Sequence, residues 1–241
     1  MHFLKFGSSK KFIIFLHGWG SDLNSFLWLK DFFVDEYSLV FLDFDGFGKT
    51  GVPNQAMNLF DYVENLKNLL NDFCIEELVF VAHSFGGRVA LKYLFYYQFD
   101  YQKVMLCLVD SAGILPRRNL AYRIRVSRYK RLKNKENKTP RDLENLSKYG
   151  SSDYRDLSQL MKQTFVNVVN EDLSKFAKFL CCKTLIVWGD KDKETKPYMA
   201  RRLNKLIKDS KLVFLKNAGH FSFIEKKQEF VIILDSFLKN L

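Results

Sequence analysis

At 241 residues and 47% apolar content the chain can bury a large core in a single α/β domain, and its formal net charge is +11. No run of about 18 apolar residues is available to span a membrane, and four histidines scattered one per loop lack zinc-site spacing, so neither a metal nor a cofactor is expected. The four cysteines have neither the density nor the spacing of a disulfide framework, which points to reduced thiols and a cytoplasmic location.

Apolar runs of strand length alternate with helical stretches along the first half of the chain. The pattern predicts strands near 3–6, 12–16 and 39–44, helices near 25–34 and 59–73, then a strand at 79–81 and a helix over 88–97. Short βα connections of this kind imply a mainly parallel sheet with helices on both faces. Lys10 and Lys11 precede the apolar run Phe12 to Leu16, which is too short for a secretory signal. That run ends in His17-Gly18-Trp19-Gly20, where the backbone N–H of Trp19 can serve an oxyanion hole.

The strand at 79–81 ends in Ala82-His83-Ser84-Phe85-Gly86-Gly87. A serine exposed on a sharp strand-to-helix turn needs small residues two positions before and after it, here Ala82 and Gly86. Glycine is usual at both, so Ala82 departs from the pattern by one methyl. The helix that follows starts with unpaired N–H groups, and that of Phe85 would join Trp19 as the second oxyanion donor. His17 and His83 are read as hydrogen-bonding orienters of their loops.

The next strand, 104–109, ends at Asp110. Between Arg117 and Arg141 lie eleven basic residues, including Arg117, Arg118, Arg123, Arg125 and Arg128, against the single acid Glu136. Nearly all of the net charge therefore belongs to one segment. Either it is a solvated helical face, or it steers an anionic substrate or acidic partner from a distance. Tyr122 and Tyr129 interleave with the arginines, but no nucleic-acid module accompanies them. Leu120, Ile124, Val126, Tyr129 and Leu132 spread around a helical wheel, unlike a membrane-surface helix. Residues 149–154 read as a turn, and Phe165, Val168 and Val169 either line a pocket or pack the segment.

A strand at 184–188 ends in Gly189-Asp190-Lys191-Asp192 before a helix near Pro197, and a strand at 212–215 leads through Ala218-Gly219-His220 to a helix from about Glu225. A serine nucleophile needs a base to take its proton and an acid to fix the tautomer of that base. His220 is the base by position and by elimination, since His2 lies near a terminus expected to be mobile. Asp192 is favoured as the acid because it leaves room for a loop before Pro197; Asp190 and Asp110 remain alternatives.

These motifs stand in the order found in the α/β-hydrolase superfamily, which the chain resembles over nearly its whole length. The quoted segments, with Asp43-Phe44-Asp45-Gly46-Phe47-Gly48 between the first two, carry the resemblance. It implies an α/β-hydrolase fold with a helical cap inserted after the sixth strand, a core at 1–112 and 181–241, and the cap at 113–180. The superfamily's first antiparallel strands would be compressed into ten residues, leaving the sheet a strand short. The chain is similar to the branch holding carboxylesterases, the methyl esterase acting on a pimeloyl carrier, and meta-cleavage-product hydrolases. Serine at 84 speaks against epoxide hydrolases and haloalkane dehalogenases, which place aspartate there. Hydrolysis of a small, anionic or carrier-bound acyl ester is the leading expectation. C–C bond hydrolysis comes second, because Gly20 runs straight into Ser21-Asp22 where those enzymes carry a longer Gly/Pro-rich loop. A non-catalytic basic binding protein on the same scaffold is the reading from another class.

Overall fold

The computed structural model describes residues 1–116, 120–139, 142 and 157–239. Its strands are β1 (His2–Phe6), β2 (Lys11–Leu16), β3 (Ser38–Asp43), β4 (Glu77–His83), β5 (Lys103–Val109), β6 (Lys183–Gly189) and β7 (Ser210–Leu215). They form one sheet in the order β1-β3-β2-β4-β5-β6-β7, in which β1 pairs antiparallel with β3 and every other pairing is parallel. The helices are α1 (Asn24–Leu27), α2 (Lys30–Phe33), α3 (Leu59–Asn71), α4 (Phe85–Tyr97), α5 (Leu120–Lys133), α6 (Gln159–Val169), α7 (Ser174–Lys178), α8 (Pro197–Leu206), α9 (Ser222–Glu225) and α10 (Lys227–Lys239).

Successive side chains of a strand leave opposite faces, and β2 divides its residues accordingly. Phe12, Ile14 and Leu16 pack with buried residues of α3, α4 and α8, whereas Ile13 and Phe15 pack with Phe26 of α1, Phe33 of α2, Phe223 of α9 and Phe230 of α10. The sheet is thus covered on both sides, and its inner strands are continuous apolar runs for that reason. α3 begins with a reciprocal cap: Asn58 Oδ1 accepts from Phe60 and Asp61 N–H groups while the Asp61 carboxylate accepts from Asn58 N–H.

Three details differ from the sequence expectation. The helix near 25–34 is two short pieces, joined through the i to i+3 bond from Leu29 N–H to the Phe26 carbonyl. His2 is tied down, its N–H donating to Thr50 Oγ1 and its Nδ1 lying 2.8 Å from Asp43 Oδ2. The segment carrying α5, α6 and α7 follows the fifth strand of this chain and not the sixth, because a single strand fits ahead of Lys11.

The later part of that segment is fastened to the sheet's helices. Val168, Leu173, Phe176 and Ala177 are buried in the larger of the two cores. The Leu173 N–H donates to the Gly113 carbonyl, and Thr164 Oγ1 accepts from the Met57 N–H at 3.1 Å. Lys92 of α4 pairs with Glu171 at 2.8 Å, and the Arg88 guanidinium donates to the Glu171 carbonyl. Among the described side chains of α5, Ile124 is exposed, as are Arg128, Lys130 and Arg131. Arg123 and Arg125 belong to the same helix, while Arg117, Arg118 and the turn at 149–154 lie outside the described residues. Among the described residues no helix is long and apolar enough to cross a membrane.

Candidate active site

The C-terminal ends of β4, β6 and β7 converge on one spot. Ser84 occupies the turn from β4 into α4 with φ +47° and ψ −110°, a region that non-glycine residues enter only under strain. The turn is held by its backbone: Ser84 N–H donates to the Val109 carbonyl, and the Ser84 carbonyl accepts from Gly87 and Ala112 N–H groups. Glycine is needed after it, since a Cβ on Gly86 would stand 2.2 Å from the Leu16 carbonyl oxygen. Ala82 is fully buried, and the fold accommodates its methyl.

His220 lies in the loop after β7, with Nε2 3.0 Å from Ser84 Oγ and Nδ1 2.8 Å from Asp192 Oδ2. An ionised carboxylate only accepts, so Nδ1 of the neutral ring carries the proton and Nε2 is left to accept from the Ser84 hydroxyl. Asp192 is held in turn by Glu194 and Thr195 N–H groups on Oδ1 and by the Thr195 hydroxyl, 2.6 Å from Oδ2. Its side chain is 0% exposed and that of His220 8%. Burial works against the Asp192 carboxylate, but the bond and charge of His220, with the Thr195 and Glu194 donors, hold it below the ordinary carboxylate range. For His220 burial disfavours the imidazolium, and the bond and charge of Asp192, assisted by Glu194 and Asp110, raise the ring above its ordinary value of 6.5.

The three sequence candidates for the acid separate cleanly. Asp192 alone among them bonds the imidazole. Asp190 is exposed and accepts from the Asn217 N–H, ordering the loop that leads to His220. Asp110, fully buried with φ +43°, joins two loops: Oδ1 accepts from the Gly189 N–H at 2.7 Å, and Oδ2 accepts from the N–H and hydroxyl of Ser222. Burial pushes its carboxyl up to about 7, opposed by those Ser222 and Gly189 donors and reinforced by the charge of Asp192.

Trp19 and Phe85 meet beside Ser84. Neither backbone N–H has an acceptor among the described residues. A Cβ on Gly18 would lie 3.4 Å from Ser84 Cβ, which fixes how closely the Trp19 loop approaches the serine. The two side chains pack edge to face with centroids 5.4 Å apart, and Trp19 also contacts Phe47 and Phe165, so Phe165 packs onto the oxyanion loop. His17 Nε2 accepts from the Phe44 N–H, leaving Nδ1 to donate to the Gly18 carbonyl. His83 donates from Nε2 to the His220 carbonyl, and burial, with the neighbouring His220 charge, pulls its ring down to about 3. Both histidines are thus neutral donors that orient loops.

Three residues of the site carry no sequence signal of their own. Thr195 Oγ1 lies within 3.2 Å of Asp192 Oδ2, the Asp110 carbonyl and His220 Nδ1, its proton shared between the two oxygen acceptors while its own oxygen faces the Nδ1 proton. Ser222 donates to Asp110, and Glu194 Oε2 stands 3.4 Å from His220 Nε2. Among the described residues no group of three or more His, Cys, Asp or Glu could hold a metal ion. A cavity of about 380 Å³ lined by Lys183, Asp209, Lys211 and Ile233 opens at the opposite ends of β6 and β7 and has no part in this cluster. A hydroxyl, an imidazole and a buried carboxylate in one hydrogen-bonded line, beside two free N–H groups, can carry out acyl transfer by nucleophilic attack.

Residues 13–232 match the alpha/beta hydrolase family. The AB hydrolase superfamily protein YisY of Bacillus subtilis (strain 168) is 23% identical over 250 residues, covering 93% of this chain and 90% of its own. The esterase EaEST from Exiguobacterium antarcticum superposes with a TM-score of 0.73 at 22% identity, over 99% of this chain and 95% of that one. The meta-cleavage product hydrolase CumD from Pseudomonas fluorescens IP01 does so with a TM-score of 0.72 at 20% identity, over 99% and 93%.

Proposed function

Because the chain belongs to the alpha/beta hydrolase family, we propose that it is a serine hydrolase acting on carboxylic esters without a cofactor. The observation that carries this is the line from Ser84 Oγ through His220 to Asp192, with distances of 3.0 and 2.8 Å. Ser84 attacks the ester carbonyl as His220 takes its proton. The Trp19 and Phe85 N–H groups receive the charge that develops on oxygen, and Asp192 stabilises the imidazolium. His220 then protonates the leaving alcohol, and water releases the acyl group by the same roles reversed. Residues 113–180 form a cap over the acyl site in this proposal, and the chain works in the cytoplasm on a small anionic or carrier-bound acyl substrate.

The basic residues of α5 supply the argument for an anionic substrate. The exposure of Arg128, Lys130 and Arg131 leaves their field largely uncompensated near the surface, where it raises the encounter rate of an anion and decays with salt. A fluorophosphonate probe tests the enzymatic core of the proposal: stoichiometric labelling of the wild type, lost in Ser84→Ala, is expected, and an unlabelled wild type leaves a binding protein as the alternative. Added salt should then lower kcat/KM for acidic esters far more than for neutral ones. An equal response removes the steering role.

A further inference from the structure

Among the described residues, Glu194 is the one carboxylate placed on the solvent side of the base. Its Oε2 lies 3.4 Å from His220 Nε2, the same nitrogen that faces Ser84 Oγ, and its side chain is 63% exposed. The start of that side chain is fixed, because the Glu194 N–H is bonded to Asp192 Oδ1 at 2.8 Å and Thr195 anchors the next residue by three contacts. The other groups facing the imidazole lie elsewhere. Asp192 is at Nδ1, Asp110 is buried beneath the loop, and the neutral ring of His83 is 4.9 Å away.

His220 Nε2 is the atom that must hand a proton to the departing alcohol. The oxygen of that alcohol therefore comes to the place that Glu194 Oε2 now borders, and whatever substituent it bears meets a negative charge at the water boundary. On the hydrolase proposal above, we infer that Glu194 is a specificity-determining residue that selects esters whose alcohol portion carries a positive charge and rejects those whose alcohol is anionic. An anionic group recruited by α5 must then sit on the acyl side of the scissile bond, so the two charged features divide the substrate between them.

The test uses three esters of one acyl group with choline, its uncharged carbon isostere 3,3-dimethylbutanol, and 3-hydroxypropanesulfonate, assayed at low salt. The kcat/KM ratio of the choline ester to the sulfonate should be about tenfold higher in the wild type than in Glu194→Gln, the size that one unit charge a few ångströms away in partly solvated surroundings gives. Glu194→Lys should lower that ratio further. A ratio that is the same in all three proteins overturns the inference. Turnover of the uncharged ester by the wild type separates this from a failure of the hydrolase proposal itself. Should no ester be cleaved, the midpoint of His220 by NMR still decides the contact: it falls in Glu194→Gln if the carboxylate acts on Nε2, and an unmoved midpoint overturns the assignment.

Discussion

Replacing Asp192 by asparagine isolates what the carboxylate does. Asparagine keeps an oxygen for the Glu194 and Thr195 N–H groups that bond Oδ1, so the loop retains its two backbone anchors. The other atom becomes an NH2 group opposite His220 Nδ1, 2.8 Å away, and an NH2 can only donate. The imidazole must then carry its proton on Nε2, pointing at Ser84 Oγ, and can no longer accept from it. The imidazolium also loses its counter-charge: two unit charges about 4 Å apart in surroundings of effective dielectric about 20 attract by about 4 kcal/mol. Forcing the wrong tautomer adds about 1.5 to 3 kcal/mol, the net worth of a hydrogen bond to a charged group. The sum corresponds to a loss of roughly 10⁴- to 10⁵-fold in kcat. The assay is hydrolysis of p-nitrophenyl esters at neutral pH, with thermal melting alongside to show that the fold persists. Activity of Asp192→Asn within tenfold of the wild type would refute the argument, and if Asp110→Asn were then inactive, Asp110 would be the acid.

Other substitutions test the frame around the serine. Asp110→Asn keeps an acceptor for Gly189 but sets an NH2 against the Ser222 N–H, stranding a buried donor at a cost of about 1 to 3 kcal/mol in urea unfolding. The Asp110 carboxyl is raised from 3.8 to about 7 in the fold, so the native state holds its proton where the unfolded chain has lost it. Its contribution to stability is present below pH 3.8 and is lost as pH rises through about 7, and the wild type should lose stability relative to Asp110→Asn across that window. Gly86→Ala drives a methyl against the Leu16 backbone and should cost about 3 kcal/mol. Gly20→Ala, with nothing within 4 Å of the added carbon, should cost only the roughly 1 to 2 kcal/mol of its positive φ; equal costs would contradict the packing described. The acidic limb of kcat/KM should have its midpoint above 6.5, because His220 is raised and must be neutral to accept a proton.

The elements that position Ser84 were readable because each is local: an apolar run, then a turn of small residues. The choice between Asp190 and Asp192 was not local. It depends on a turn in which the Asp192 N–H returns to the Gly189 carbonyl, bringing the second aspartate under the imidazole and leaving the first toward Asn217. Asp110 stands at a strand end where the sequence allows an acid, but its bond to Ser222 spans 112 residues and no spacing rule foretells it. The same holds for His2, which meets Asp43 across 41 residues. In the stretch 25–34 the buried Phe26, Leu29 and Phe33 recur at helical spacing, so periodicity could not reveal where i to i+4 bonding lapses. Thr195 and Glu194 were invisible for a simpler reason. A polar residue beside an aspartate becomes part of a site only when a distant histidine folds over it.

The Glu171 knot ties the stretch from Met161 to Ala177 to the main body. Arg88 and Lys92 seize it from one side and Gly113 from another. For protein engineering this shifts the natural splice point. A foreign lid grafted at the ends of β5 and β6 would evict Val168, Leu173 and Phe176 from the interior and leave an arginine and a lysine stranded in apolar surroundings. One grafted between Leu115 and Ser158 would leave that anchorage intact, so new substrate ranges could be installed on the chassis without unsettling it.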